Sequence, residues 1–138
     1  MTIRHSSETP LALFSLFATI THFSLETWYH VVWGQPLQAL LVDYIGNALM
    51  FLATITSLQI RPRSAAGLLA GAWCFYLGFS WRSVFGRLEL LENGEAAANG
   101  EAGFVLPLIT FGLVIVAICM IWSLWLAWKQ ATQGKISQ

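Results

Sequence analysis

Long apolar runs alternate with short polar segments along this chain. The four runs cover residues 11–33, 37–60, 65–88 and 103–128. Each is about 22 to 26 residues long, and an α-helix needs about 20 residues to cross the hydrocarbon core of a bilayer. None of the runs shows the alternation of apolar and polar residues that is typical of outer-membrane β-barrel strands. The pattern therefore predicts an all-α bundle of four transmembrane helices, in a single domain that covers residues 1–138.

The composition also indicates a membrane protein. Of the 138 residues, 57% are hydrophobic and 10% are charged, whereas soluble domains usually carry about 25% charged residues. The first run is too long for a signal peptide and is followed by no small-residue cleavage site, so we expect it to remain as the first span. The net charge of zero and the lack of a basic patch exclude nucleic acid as a predicted partner.

The charges at the ends of the runs predict the orientation in the membrane. Basic residues cluster at one end of the predicted bundle, namely Arg4, Arg61, Arg63, Lys129 and Lys135. The segment between the third and fourth runs is acidic and contains Glu89, Glu92, Glu95 and Glu101. Because Lys and Arg concentrate in cytoplasmic loops, we predict that both termini are cytoplasmic. Tryptophan is also typical of membrane interfaces, and the cytoplasmic end of the fourth run carries Trp122, Trp125 and Trp128.

Ionisable residues inside the runs are the most informative feature of the sequence. They are costly in a bilayer and usually face a bundle interior or a cavity. His22, Glu26 and His30 are spaced four residues apart, which places them along one side of a helix. Asp43 in the second run and Arg82 in the third lie, like Glu26, about six or seven residues from the outer end of their run, or roughly 10 Å.

These similar depths predict one polar pocket in the outer half of the bundle. Short connections allow the polar sides of neighbouring helices to turn inward, and Asn47, one turn after Asp43, is expected to join them. Aromatic side chains at a similar depth are expected to form the wall and contact the substrate, namely Trp28, Tyr29, Tyr44, Tyr76 and Trp81. A simpler alternative is an ion pair between Asp43 and Arg82, with the two histidines hydrogen-bonding between helices.

Acid/base catalysis is one function that such a pocket allows. A carboxyl group and an imidazole one helical turn apart can move a proton to and from a lipophilic substrate. In this interpretation Glu26 donates the proton, His22 accepts it, and the aromatic rings stabilise a carbocation. The sequence contains no Gly-x-Ser-x-Gly, His-Glu-x-x-His or phosphate-binding glycine motif, so nothing in it indicates serine hydrolysis, zinc proteolysis or nucleotide use.

Residues 21–29, with the sequence THFSLETWY, resemble a helix of the emopamil-binding-protein-like membrane proteins. In that family a His-x3-Glu pattern followed by an aromatic pair lines the pocket. The wider superfamily consists of compact bundles of four or five spans and includes sterol Δ8-Δ7 isomerases and a sigma-2-type receptor. The resemblance implies that His22 and Glu26 shuttle a proton on a sterol-like or isoprenoid substrate. It also implies that Asp43 takes the place of the family's second carboxylate.

Metal binding is a second interpretation of the same residues. His22, Glu26, His30 and Asp43 offer imidazoles and carboxylates, which zinc and non-haem iron accept. His22 and His30 lie about 12 Å apart along the helix axis. One ion can therefore bind His22 with Glu26, or Glu26 with His30, but not all three. The prediction accordingly names no metal ligand and no cofactor.

Binding without chemistry is a third interpretation. The chain is then a lipid-binding protein, a small carrier or a subunit of a membrane complex, with a lipid or another lipophilic small molecule as its partner. The spacing of Gly67 and Gly71 permits close contact between helices. That contact lies either within the chain or between copies of it in a homo-oligomer.

Overall fold

Four α-helices make up the described part of the chain, which in this computed structural model comprises residues 8–59, 65–94 and 101–134. They are α1 (Glu8–Trp33), α2 (Leu37–Leu58), α3 (Ala66–Glu92) and α4 (Glu101–Gly134). The prediction of an all-α, four-helix architecture is confirmed, and the described ranges contain no strand. α3 and α4 extend past the predicted ends at residues 88 and 128, into the polar residues that follow each apolar run.

A tight turn connects α1 to α2. Gly34 adopts a positive φ of 70°, a conformation that only glycine adopts without strain, and its N–H donates to the carbonyl of His30 over 3.0 Å. Pro36 then caps α2, and its carbonyl accepts from the N–H of Leu40 over 3.2 Å. The turn makes α1 and α2 an antiparallel hairpin.

The bundle consists of two hairpins, α1 with α2 and α3 with α4. They meet mainly where α2 packs on α3, and α1 touches α4 only sparsely. At the α2–α3 contact the approach is close at Gly46, where an added Cβ would lie 2.9 Å from Cε1 of Phe75. By contrast, a Cβ at Gly67 or Gly71 would meet no atom within 4 Å. These two glycines therefore mediate no close helix contact within the described chain.

The apolar core lies at the end of the bundle where α1 begins. The largest fully buried apolar side chains there are Leu11, Met50, Leu69, Trp73 and Leu126. Between the hairpins a cleft extends from this core towards the other end of the bundle. Trp73 belongs to both regions, because it packs in the core and also lines the cleft.

Polar side chains are buried while large apolar side chains cover the outside. The buried polar residues include Ser15, Thr19, Asp43, Asn47, Thr54 and Ser123. Large apolar residues are exposed on every helix, as Phe17, Leu52, Leu68 and Phe111 illustrate. This is the reverse of the arrangement in a water-soluble bundle, where exposed faces are polar.

Two of the described helical segments are long and apolar enough to cross a membrane, Leu37–Leu58 and Val105–Thr132. α1 and α3 are less apolar. They carry His22, Glu26 and Arg82, which contribute to the cleft. The prediction of cytoplasmic termini depends largely on residues outside the described ranges, including Arg4, Arg61, Arg63, Glu95 and Lys135.

One carboxyl group links three helices and the start of α3 at the packed end of the bundle. Oε1 of Glu8 accepts from the hydroxyl of Ser57 over 2.7 Å and from the N–H of Ala65 over 3.1 Å. Its Oε2 accepts from the side-chain amide of Gln130 over 2.9 Å. Glu8 in α1 is thereby joined to α2, to the residue that precedes α3, and to α4.

Candidate functional site

A large cleft lies between the two hairpins and is lined by residues of all four helices and of the α1–α2 turn. Its volume is about 1180 Å³, above the roughly 300–1,000 Å³ that is common for small-molecule sites. One end is apolar and includes Phe14, Phe17, Trp73, Ile115 and Val116. The other end contains the carboxyl and imidazole side chains. The cleft therefore matches an elongated molecule with an apolar body and one polar end.

The polar end is built around His22, Glu26 and Asp43, which we call the carboxyl–imidazole cluster. His22 and Glu26 are one turn apart on α1, and Nε2 of His22 lies 3.5 Å from Oε1 of Glu26. Asp43 reaches them from α2, so that one nitrogen or oxygen from each of the three residues lies within 4.8 Å of the others. These residues lie at a similar height along the hairpin, because α1 and α2 are antiparallel and are joined by a short turn.

Asp43 is 2% exposed. Its Oδ2 accepts from the side-chain N–H of Gln35 over 2.9 Å, whereas its Oδ1 has no hydrogen-bond partner. A buried carboxylate oxygen without a donor is costly. The Asp43 side chain is thus held on one oxygen and unsatisfied on the other.

Hydrogen bonds fix the ring of His22 from behind. Its Nδ1 lies 3.3 Å from Oδ1 and 3.2 Å from Nδ2 of Asn47. The hydroxyl of Tyr76 donates to the same Oδ1 over 2.6 Å. Tyr76 and Phe79 also pack on the imidazole, with centroid distances of 5.2 and 5.6 Å. These contacts direct Nε2 towards Glu26.

The structure brings most of the predicted site residues to the cleft. Its lining includes the three predicted catalytic residues and four of the predicted substrate contacts: His22, Glu26, Asp43, Trp28, Tyr29, Tyr76 and Arg82. Asn47 does not line the cleft but supports His22. Their catalytic and binding roles remain predictions.

Besides Asn47, three predicted site residues lie outside the lining. His30 hydrogen-bonds through Nδ1 to the carbonyl of Gln35 over 2.7 Å and so braces the turn. Tyr44 is hydrogen-bonded to the hydroxyl of Thr27 over 2.8 Å. Trp81 is 56% exposed and stacks on Phe85 at a centroid distance of 4.4 Å.

Helical geometry explains these placements. His30 follows His22 by eight residues, which is two full helical turns plus about 80°. The two side chains therefore do not face the same way. Consecutive residues differ by about 100°. Tyr44 and Trp81 follow or precede Asp43 and Arg82 on the side of the helix that is turned away from the cleft. A similar position along neighbouring helices does not imply that residues face the same way.

Two lining residues carry no clear signal in the sequence. Gln35 lies in the α1–α2 turn, where helical periodicity predicts no contacts, yet its side-chain amide donates to Asp43. Arg87 is near the end of the third apolar run, but α3 continues beyond it. Its Nη1 donates to Ser83 over 3.0 Å, its Nη2 donates to the Tyr29 hydroxyl over 3.2 Å, and its guanidinium lies 5.6 Å from the centroid of the Tyr29 ring.

The simpler interpretation, an ion pair between Asp43 and Arg82, is not what the structure contains. The acid–base contact at this site is between Nε2 of His22 and Oε1 of Glu26, and Asp43 is hydrogen-bonded to Gln35 instead. Arg82 lines the cleft without meeting Asp43. Interhelical hydrogen bonding by a histidine does occur, between His22 and Asn47.

The fold and the site together define an all-α, four-helix protein with a cleft that is apolar at one end and polar at the other. Two of its helices can cross a membrane by length and composition. Comparison with family models, with curated proteins and with solved structures finds no match to this chain.

Proposed function

We propose that this chain is an integral membrane protein that binds a lipophilic small molecule, sterol-like or isoprenoid-like, in the cleft between its hairpins. The cleft is the observation that carries the proposal. It combines a volume of about 1180 Å³ with an apolar lining and a carboxyl–imidazole cluster at one end. A molecule that matches it has an extended hydrocarbon body and a polar group, such as a hydroxyl, that hydrogen-bonds at the cluster.

The sparse contact between α1 and α4 supports entry from the bilayer. These helices belong to different hairpins, and few of their residues contact each other. Phe14 and Phe17 of α1 and Phe111 of α4 contribute both to the lining and to the exposed surface. A lipophilic molecule that approaches in the membrane plane therefore meets apolar side chains before it reaches the polar cluster.

The distribution of polar side chains supports four spans. His22 and Glu26 of α1 and Arg82 of α3 line the cleft, and the outer faces of the two helices carry large apolar residues such as Ile20 and Leu68. Polar side chains that face a cavity are compatible with a transmembrane helix. α1 also packs along α2, which is apolar enough to span, so α1 crosses the bilayer with it.

Cysteine labelling tests the four-span topology. With Cys74 and Cys119 replaced by alanine, single cysteines are introduced at Gln59, just after α2, and at Glu92, the last residue of α3. In right-side-out vesicles we expect an impermeant maleimide to label the Glu92→Cys protein, and to label the Gln59→Cys protein only after permeabilisation. Labelling of both from the same side would show that α3 does not cross the membrane.

The chemistry that we propose at the polar end is proton transfer on the bound molecule, of the isomerase or cyclase type. Nε2 of His22 and Oε1 of Glu26 are 3.5 Å apart. After Glu26 has donated a proton to the bound molecule and His22 has accepted one from it, a short proton transfer from His22 to Glu26 restores both groups. The resemblance of residues 21–29 to the emopamil-binding-protein-like family agrees with this role. Tyr76 and Trp28 line the same space and present aromatic faces that can stabilise developing positive charge.

Occlusion of the cleft tests ligand binding. Gly112 lines the cleft, and a Cβ added there meets no atom within 4 Å, so a tryptophan side chain at this position extends into the space. Gly78 also has no atom within 4 Å of an added Cβ but does not line the cleft, which makes Gly78→Trp the matched control. We expect wild-type protein and Gly78→Trp to retain a small lipophilic molecule in native mass spectrometry, and Gly112→Trp to retain at least about tenfold less.

Equal retention by all three proteins would refute the cleft as the binding site, and a wild-type protein without any retained molecule would refute the proposed function. The chemical identity of a retained molecule also decides the assay for catalysis. Conversion that is lost in Glu26→Gln while binding persists would support proton transfer. Binding without conversion would define a lipid-binding protein instead.

A further inference from the structure

We propose that His22, Glu26 and Asp43 bind one divalent transition-metal ion of the zinc class at the polar end of the cleft. This site goes beyond the lipophilic-ligand proposal and does not depend on it. The donors are one imidazole nitrogen and two carboxylate oxygens, a combination that zinc, iron(II) and manganese accept. They come from two helices that the Gly34 turn holds together.

The distances match a metal site whose ligands close slightly on binding. Bonds of about 2.1 Å to a tetrahedral ion place its donors about 3.4 Å apart. Nε2 of His22 and Oε1 of Glu26 are already 3.5 Å apart. The donor atoms of all three residues lie within 4.8 Å of one another, so no pair exceeds the tetrahedral separation by more than about 1.4 Å.

The unsatisfied oxygen of Asp43 indicates a missing positive partner. Its Oδ2 is hydrogen-bonded to Gln35, and its Oδ1, which has no donor, belongs to a side chain that is 98% buried, being 2% exposed. The Glu26 carboxyl group lies close by. Two carboxylates at this distance repel each other unless a proton or a cation lies between them. In the metal-free protein a hydrogen bond joins the Glu26 and Asp43 carboxyl groups, and a metal ion would replace the proton that they share.

The surroundings of His22 also resemble those of a metal ligand. A ligating histidine usually donates its second ring N–H to a fixed acceptor, which orients the ring and sets its tautomer. Here Nδ1 of His22 faces Asn47 at 3.3 Å from Oδ1, and the Tyr76 hydroxyl holds that amide over 2.6 Å. With the proton on Nδ1, the lone pair of Nε2 points to the space shared with Glu26. The hydrogen bond from Gln35 orients Asp43 in the same manner.

Three protein donors leave a four-coordinate ion with one open position. His22, Glu26 and Asp43 all line the cleft, so this position is available to an oxygen atom of the bound molecule. Coordination also occupies the lone pairs that His22 and Glu26 need for proton transfer. Metal binding and proton transfer by these two residues therefore belong to different states of the protein.

Metal titration of the purified protein tests the site without any lipophilic ligand. Protein in detergent is stripped with EDTA, dialysed, and titrated with Co²⁺ as a spectroscopic substitute and with Zn²⁺. We expect one ion per chain by elemental analysis, visible Co²⁺ absorption bands typical of low coordination number, and a rise in melting temperature on metal addition. Glu92→Gln, which changes an exposed carboxyl group outside the cleft, is expected to bind like wild type.

Three variants locate the site. Asp43→Asn and His22→Phe are expected to weaken binding at least about 100-fold. Tyr76→Phe keeps the ring and removes only the hydroxyl that holds Asn47. We expect it to fold and to weaken binding about tenfold, so it tests the site even where a ligand variant fails to fold.

Absence of stoichiometric binding by wild-type protein would overturn the inference, and so would equal affinity in Asp43→Asn, His22→Phe and Tyr76→Phe. A negative result leaves the lipophilic-ligand proposal intact, because native mass spectrometry in the presence of EDTA tests that proposal on metal-free protein. Conversely, a protein that binds Co²⁺ and retains no lipophilic molecule would support the metal site and refute the proposed function.

Discussion

Replacement of Glu8 by alanine is expected to destabilise the folded protein by about 3–5 kcal/mol. The Glu8 side chain is 9% exposed and accepts hydrogen bonds from α2, from Ala65 and from α4. Ala65 precedes α3, which has no side-chain cap of its own, so Glu8 provides an acceptor at the start of that helix. Alanine would leave three donors without their partner at the packed end of the bundle.

Thermal and SDS-induced unfolding, followed by tryptophan fluorescence and circular dichroism, measures this effect. Glu8→Gln is the matched control, because the amide has the same shape and retains an oxygen that can accept from Ser57 and Ala65. The amide of Gln130 can rotate to offer its oxygen to the new N–H group. We expect this variant to lose no more than about 1 kcal/mol. A loss below about 1 kcal/mol in Glu8→Ala would show that the carboxyl group does not hold the helices together.

Trp73→Ala is expected to destabilise the protein by about 3–5 kcal/mol through lost packing. Trp73 is 1% exposed, and its Nε1 donates to the hydroxyl of Ser15 over 3.1 Å. Its ring stacks on Phe14 at a centroid distance of 6.3 Å and meets Tyr76 edge-on at 5.9 Å. Loss of a buried aromatic side chain removes these contacts and leaves a cavity between the helices. The substitution therefore weakens the contact between α1 and α3.

Trp81→Ala is the matched control, since it makes the same change on the same helix at a side chain that is 56% exposed. We expect it to alter stability by less than about 1 kcal/mol, in the same unfolding experiment. Similar losses for the two variants would contradict the distinction between a packed and an outward-facing tryptophan. Ligand retention adds a second readout: Trp73 lines the cleft and Trp81 does not, so only Trp73→Ala is expected to change the retained molecule.

The helix boundaries near the α1–α2 turn could be predicted from the sequence, because local chemistry determines them. Gly34 and Pro36 interrupt the apolar pattern, and α1 ends at Trp33 and α2 begins at Leu37 as predicted. The far end of α4 could not be predicted in this way. Its apolar run ends at residue 128, whereas backbone hydrogen bonding continues through polar helix formers as far as Gly134.

The candidate site was predictable in part. Ionisable residues inside apolar runs are costly unless they meet other polar groups, so His22, Glu26 and Asp43 were expected to lie together, and the structure places their donor atoms within 4.8 Å. Gln35 could not be predicted, because its contact with Asp43 depends on the path of the turn. The contacts of Glu8 with Ser57 and Gln130 could not be predicted either, since these residues lie far apart along the chain.

The sequence by itself determined the helical class, the number of helices and the position of the polar residues along them, because these follow from local composition and from the fixed rise of an α-helix. Only the tertiary structure decided which side of each helix faces the cleft. That choice excludes His30, Tyr44 and Trp81 from the lining, although their position along the helices is similar. The physical reason is that a helix rotates by about 100° per residue, and its rotation about its own axis is set by packing against its neighbours.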